Sequence, residues 1–321
     1  GVYELPQLVS STAVTATAVR LRPGIRTFTV GYAEGGHDER RFARLVAARC
    51  GTRHEELVVS AEDVLPLLPG IGALMDEPLA DMSFVPLHLL ARLAKRSVTV
   101  ALTGDGGDEL FAGYPAMAAD WWHRRFAALP APIRRALDAL ARSLPDRLDG
   151  LRDFLQALDY PAEVRNQILL GGRAPARSKG LFSPAFADTV TGLDPYDAIG
   201  AALEGCESAD ERDRTIYRYC KLYLAGQNLA NADRASMAAA LELRAPLLDH
   251  SFVEFTARIP AQLKFQGLLA FKRLFKRAMA DRIPPEILAR GKKGFGVPID
   301  VWLRGPLRPA AQALLVPDRL R

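Results

Sequence analysis

The chain has 321 residues, enough for one large or two ordinary domains. It is 49% hydrophobic and 25% charged, the balance of an ordinary globular protein, and its net charge of +5 is unevenly spread: residues 1–115 hold 11 Lys and Arg against 14 Asp and Glu, whereas residues 264–321 hold 13 against 4. No apolar run approaches the roughly 18 residues that cross a membrane, and no recognition module or set of stacking aromatics accompanies the basic tail, so neither a membrane nor a nucleic acid is expected as partner.

The first residues read as a strand, GVYEL, followed by SSTAVTATAVRL with helical potential and a serine start. The opening has neither an initiator Met nor the basic head and long apolar run of a signal peptide, so a longer protein is expected around it. RTFTVGY is a β-branched and aromatic strand. DERRFARLVAARCG carries Phe42, Leu45, Val46 and Arg49 at helical spacing, with Gly51 as the stop. HEELVVS is a third strand; helical stretches follow at roughly 61–75 and 84–96, and SVTVALTG is a fourth strand. Alternation in units of about 25–30 residues predicts an α/β layer, a parallel sheet with helices on both faces. Such sheets bind ligands beyond the carboxyl ends of their strands, here residues 5–11 and 103–109.

Beyond about residue 115 strand signals nearly vanish. WWHRRFAAL, PIRRALDALARSL, LRDFLQAL, ERDRTIYRYCKLYLAG and FKRLFKRAMA carry a helical apolar period, and residues 172–208, rich in Gly, Ala, Ser and Pro, read as a loop or insertion. The expected organisation is a nucleotide-binding layer over 1–115 and a helical region over 116–321 that folds back onto the same site. Cys50, Cys206 and Cys220 are odd in number and irregularly spaced. That argues against a disulfide framework or a zinc site and suits a reducing cytoplasm.

TGDGGDELFAGY (103–114) sets Asp105, Asp108 and Glu109 at the mouth of a glycine turn. The choice is between a solvated acidic loop and a site for a magnesium-bound polyphosphate. MDEPLADMSFVP (75–86), ADRASMAAALELRAPLLDH (232–250) and ARGKKGFGVPIDVWLRGPLR (289–308) also stand out. With RTFTVGY, and in this order from about residue 1 to 308, these motifs resemble the synthetase domain of glutamine-dependent asparagine synthetases, within the N-type ATP pyrophosphatases. The resemblance implies a Rossmann-like sheet of the adenine nucleotide alpha hydrolase kind, use of ATP and Mg2+, and a carboxylate substrate, aspartate or another. That carboxylate would be activated as an acyl-adenylate for attack by ammonia. Attack on the α-phosphate brings negative charges together, so a metal and cationic side chains are needed.

The same resemblance places Asp108 at the metal and Asp105 where it can handle the amine proton. It runs the backbone of Val30 and Gly31 along the adenine, with Thr103 and Gly104 on the matching strand edge. An ordinary strand end explains those four residues nearly as well. Lys292, in the pattern Arg-x-Lys-x-Gly-Phe, is expected on phosphate oxygens, with Lys293 facing solvent and Glu109 structural. Asp233, Arg234 and Glu242 mark the third motif, with positions 234, 238 and 242 expected on one helical face; an ion-paired helix holding the wall of the site explains Asp233 and Arg234 about as well as substrate contact does.

The chain departs from the family at the pyrophosphate loop. LPQLVSS, residues 5–11, stands where the family has Ser-Gly-Gly-Leu-Asp-Ser-Ser. Pro6 has no N–H for a phosphate, Gln7 lacks the freedom and slimness of glycine, and Val9 removes a carboxylate. Asn231 stands where relatives often carry Lys. Ser10 and Ser11 are expected to cap the next helix and leave its N-terminus facing an anion. The glutaminase half, whose terminal Cys would generate ammonia, is missing from this chain, and Cys50 lies in a predicted helix. The functional expectation is an amide ligase domain, with a catalytically impaired binding or scaffold domain as the alternative. A tRNA-modifying pyrophosphatase is favoured only by the basic tail. A homodimer is left open.

Overall fold

The computed structural model describes the chain apart from residues 1, 5–7, 35, 78, 80, 146–147, 159, 171–181, 191, 194–195, 266–270, 292–295 and 317–321. Its five strands are β1 (Val2–Glu4), β2 (Arg26–Tyr32), β3 (Arg53–Val59), β4 (Val100–Leu102) and β5 (Glu242–Arg244). They form one sheet in the order β3-β2-β1-β4-β5, every neighbouring pair parallel. The intervening helices are α1 (Leu8–Leu21), α2 (Arg40–Cys50), α3 (Ala61–Val64), α4 (Ile71–Met75), α5 (Phe84–Lys95) and α6 (Gly107–Leu110). Val2 of β1 lies opposite Thr27 of β2 on one side and Leu102 of β4 on the other. The strand order therefore reverses at β1, and ligands of parallel sheets collect beyond the carboxyl ends at such a point.

The local causes are plain in the sequence. All of β2 but its first residue is buried, which suits its β-branched and aromatic residues. Helix α2 stops at Gly51, whose φ of 64° is left-handed. Helix α5 buries Phe84, Leu87, Leu90, Ala91 and Ala94 along one stripe against Phe28, Val30, Tyr32, Ala101 and Leu241.

Several expectations change. Helix α1 starts at Leu8, ahead of the expected serine start, because Leu8 is already buried in the core. The stretch 61–75 is broken by a 3₁₀ turn over Leu65–Gly70, where Pro66 and Pro69 remove backbone donors. Glu242 is not on a helix with positions 234 and 238. The helix ends at Met237, Ala240 turns the chain with φ 55°, and Glu242 enters β5, its N–H donating to the Thr99 carbonyl at 3.1 Å. Pairing with β4 overrides the helical propensity of this Ala- and Leu-rich stretch. Among its described residues the segment 172–208 contains two short helices rather than loop alone, one of them capped by Ser183, whose hydroxyl accepts from the Phe186 N–H at 3.3 Å.

The chain forms two compact units. One comprises Gly1–Asp108, Leu224–Thr256 and Leu274–Arg321; the other comprises Glu109–Tyr223 and Ala257–Arg273. The division expected at residue 115 is sequential, whereas these units interleave along the chain. The first unit holds the sheet. The second is helical: α7 (Ala119–Ala127), α8 (Ala131–Arg142), α9 (Asp149–Ala157), α10 (Ala162–Leu169), α11 (Pro184–Thr189), α12 (Asp197–Ala202) and α13 (Glu211–Arg218). From Tyr219 to Leu229 the chain winds as a wider π-helix. Tyr114 stacks on Tyr219 with ring centroids 5.3 Å apart and meets Tyr223 edge-on, forming one small core of the second unit. Among the described residues no helix is long and apolar enough to cross a membrane.

Candidate functional site

The acids of TGDGGDELFAGY are not solvated. Asp105 is 7% exposed, and Asp108 and Glu109 are fully buried. The Thr103 hydroxyl donates to Asp105 Oδ2 at 2.7 Å. Burial pushes the Asp105 carboxyl above its ordinary range; the Thr103 bond opposes this and the Asp108 charge adds to it. Glu109 accepts a 2.6 Å hydrogen bond from the Tyr114 hydroxyl, the structural part expected of it.

The loop is held against the first turn of α1. A Cβ on Gly104 would lie 2.5 Å from the Ser11 amide nitrogen and 2.9 Å from the Ser10 carbonyl carbon. A Cβ on Gly107 would collide with the Ser10 hydroxyl. The end of β4 and the start of α1 thus touch backbone to backbone, at the point where the strand order reverses. The Thr103 N–H is fixed from the other side by the Arg244 carbonyl at 2.8 Å. Ser10 and Ser11 are not caps: both are fully buried inside the helix, and the Ser11 hydroxyl points back to the Leu8 carbonyl at 3.4 Å. No acidic residue occupies this first turn, where Val9 sits half-buried. An anion is favoured at such a terminus.

At the end of β2, Val30 is buried, and the space where Gly31 lacks a side chain is filled by Arg40 and Asp38. The Arg40 guanidinium donates twice to Asp38 Oδ2 and once to Oδ1, and holds that carboxyl below its ordinary range. Ser10, Ser11, Thr103, Gly104, Asp105 and Asp108 are therefore gathered at the β1 and β4 ends. Val30 and Gly31 stand on the far side of β1, roughly 10 Å from β4 at ordinary strand spacing. Lys292 and Lys293 lie outside the described residues.

The third motif is bonded to other parts of the first unit. Arg234, in α14 (Ala230–Met237), pairs with Glu77 at 2.8 Å and Asp76 at 3.7 Å. The Asn231 amide donates to the Ser83 hydroxyl at 2.7 Å, and His88 Nδ1 meets the Ala235 carbonyl at 3.0 Å. The Arg234 pairs fasten motif 232–250 to motif 75–86, and the other two bonds tie their flanking residues.

One half-buried lysine lies outside the motifs singled out in the sequence. After β5 follow α15 (His250–Ala257), α16 (Ala261–Lys264) and α17 (Arg273–Ala278). Lys276 in α17 is half-buried, and burial lowers its pKa while the charge of Asp108 raises it. Helical periodicity cannot separate Lys276 from its exposed neighbours Arg273 and Arg277; only its place in the fold does. Among the described residues no group of three or more His, Cys, Asp or Glu could hold a metal ion. The buried carboxylate oxygens of this loop are of the kind that Mg2+ takes from a protein, one or two at a time.

Comparison with known proteins agrees with this geometry. The asparagine synthase family model matches residues 9–321. A putative glutamine-hydrolysing asparagine synthetase of Mycobacterium bovis is 33% identical over 308 residues, 92% of this chain and 44% of that protein. Glutamine-hydrolysing asparagine synthetase 1 of Bacillus subtilis is 29% identical over 299 residues, 93% of this chain and 46% of that protein. The amidase chyE of Penicillium rubens is 24% identical over 330 residues, 92% of this chain and 47% of that protein. The chain spans less than half the length of these relatives. With nearly every residue inside the family match, the chain belongs to the asparagine synthase family.

Proposed function

We propose that this chain is the synthetase part of an ATP-dependent amide ligase, built on a Rossmann-like, doubly wound sheet. The observation that carries the reading is the buried Asp105–Asp108 loop seated on the first turn of α1 at the sheet's reversal point. In this reading Val30 and Gly31 present backbone to the adenine, and Thr103 and Gly104 line the opposite edge. Asp108 would hold a Mg2+ entering with ATP, which would supply charge screening between the phosphates and the incoming carboxylate. The carboxylate oxygen attacks the α-phosphorus, pyrophosphate leaves towards Lys292, and an acyl-adenylate remains. Ammonia attacks the acyl carbon, Asp105 takes a proton from the resulting ammonium, and AMP departs. A carboxylate with a raised pKa is better matched to that last task at neutral pH. Aspartate is the first acceptor to test. The ammonia would come from a glutaminase partner or domain, in keeping with the glutamine-hydrolysing names of the relatives. A cytoplasmic setting and a homodimer belong to the same proposal.

The substituted loop favours a second reading, a family member with impaired turnover that binds rather than catalyses. Val9 leaves Asp108 without its expected partner carboxylate, Pro6 has no N–H to give a phosphate, and Gln7 lacks the freedom and slimness of glycine. One experiment separates the two. Replacing residues 5–9 by Ser-Gly-Gly-Leu-Asp should raise ATP–pyrophosphate exchange by at least about 10²-fold, the scale for one lost oxyanion-type donor. Hydroxamate trapping with aspartate, then with sugar acids, reports the adenylate. A restored protein that is folded and binds ATP, yet shows neither exchange nor hydroxamate, would leave the binding-domain reading in place.

A further inference from the structure

Helices α5 and α14 lie side by side, joined by Asn231 to Ser83 at their starts and by His88 to Ala235 further along. Each leads into the strand after it, α5 into β4 and α14 into β5, and those strands are parallel neighbours. The starts of both helices therefore lie at the carboxyl end of the sheet, where parallel sheets take their ligands. A polar cluster joins the two starts. Asp81 Oδ1 accepts from the Ser83 N–H at 2.9 Å, and Asp81 Oδ2 accepts from the Gln227 amide at 3.4 Å. Among the described residues Asp81 has no ion pair, and the cation of α14, Arg234, is taken by Glu77 and Asp76. Asn231 is 1% exposed; its Nδ2 is spent on the Ser83 hydroxyl, and its buried Oδ1 accepts no hydrogen bond among the described residues. A buried acceptor without a donor is unfavourable, so its presence points to a donor brought by a ligand. The cluster thus offers a carboxylate charge and an amide oxygen. An anion is repelled by such a set, whereas an ammonium group matches it with one positive charge and at least three N–H donors.

We propose that Asp81 and Asn231 form a subsite for an ammonium group at the carboxyl end of the sheet, Asp81 supplying the opposite charge and Asn231 Oδ1 taking an N–H. The inference rests on the amide-ligase reading above, in which two reactants can carry such a group. One is free ammonium, the protonated form of the nitrogen donor. The other is the amino group of an amino-acid acceptor. In either case motif 75–86 gains a binding role beside its pairing with Arg234.

Melting curves and calorimetry on the full chain test this, with and without Mg2+ and ATP. Ammonium chloride is compared with sodium and potassium chloride at equal ionic strength. L-Aspartate is compared with succinate, the same dicarboxylate without the ammonium group. At least one of the two ammonium-bearing probes should bind about 10-fold or more tightly than its controls, the scale of one hydrogen bond to a charged group. A preference for ammonium chloride alone assigns the subsite to the nitrogen donor, and a preference for aspartate over succinate assigns it to the acceptor. Asp81→Asn keeps an oxygen for the Ser83 N–H and should abolish the preference. Asn231→Lys should raise the melting temperature and also abolish it, because its own ammonium then meets Asp81; this variant decides if Asp81→Asn does not fold. No preference in either arm, potassium acting as well as ammonium, or a preference that survives both substitutions overturns the inference. Pyrophosphate exchange by the loop-restored protein would leave the ligase reading standing through any of those results. A preference without that exchange removes the ligase reading and keeps the ammonium subsite.

Discussion

Asp105 is a carboxylate kept where its charge is disfavoured, and that has a measurable sign. A carboxyl whose pKa is raised by folding favours the folded state while protonated. That contribution is lost as the pH climbs from the ordinary value of 3.8 through the folded value. Asp105→Asn should therefore unfold at a higher temperature than the unaltered protein at pH 7, with the difference shrinking as the pH falls towards 3.8. Equal melting curves at every pH would show that burial does not oppose this charge. Under the proposed mechanism the same variant should keep pyrophosphate exchange and lose amide formation. Gly104 makes a steric prediction: Gly104→Ala places a Cβ against the backbone of Ser11, which cannot rotate away, and should cost about 1–3 kcal/mol in urea unfolding. The acids and glycines of this loop were legible because their chemistry is written in residue type. Their burial was not, because the covering groups come from remote positions: Ser10 beside Gly107, and Leu248 over Gly106, whose φ is 88°. The role expected of Ser10 and Ser11 failed because a cap must precede its helix, and Leu8 extends α1 past them.

The loop between β2 and α2 acts as a fastener for distant parts of the first unit. Glu34 accepts from the Trp302 indole N–H at 2.7 Å, His37 meets Gly296, and Glu39 pairs with Arg290. Trp302, in α18 (Ile299–Arg304), packs its ring edge-on to Tyr32 at 5.9 Å, so this polar fastening continues into the core. The charged pair is well shielded, its side chains 16% and 14% exposed. Glu39→Gln should lower stability by about 1.5–3 kcal/mol, seen as an earlier urea midpoint with unchanged slope. No change would reduce the pair to an ordinary surface contact. Strands β2 and β3 were readable because each has seven residues of strong pattern. β5 was not, since Glu242–Arg244 is three residues long and becomes a strand only by meeting β4.

The first unit is assembled from three separated stretches of chain. Its core draws Leu241, Val297, Trp302 and Leu307 from beyond residue 240. Those four side chains are worth together about 6–12 kcal/mol of burial, which is the whole of an ordinary stability margin. A chain ending at residue 240 should show no cooperative thermal transition and should bind a hydrophobic dye. A sharp transition in that fragment would mean the sheet stands without its later segments. The expected split at 115 missed this arrangement because composition shifts mark where helices replace strands, not where the chain returns. The interleaving bears also on birth at the ribosome. About 140 residues separate Leu102 from Glu242, so at ordinary elongation rates the open edge of β4 emerges roughly 10–30 s before its neighbour does. Through that interval the nascent protein offers an unpaired strand edge. Until residues 242–244 arrive, that edge is open to pairing with a strand of another chain.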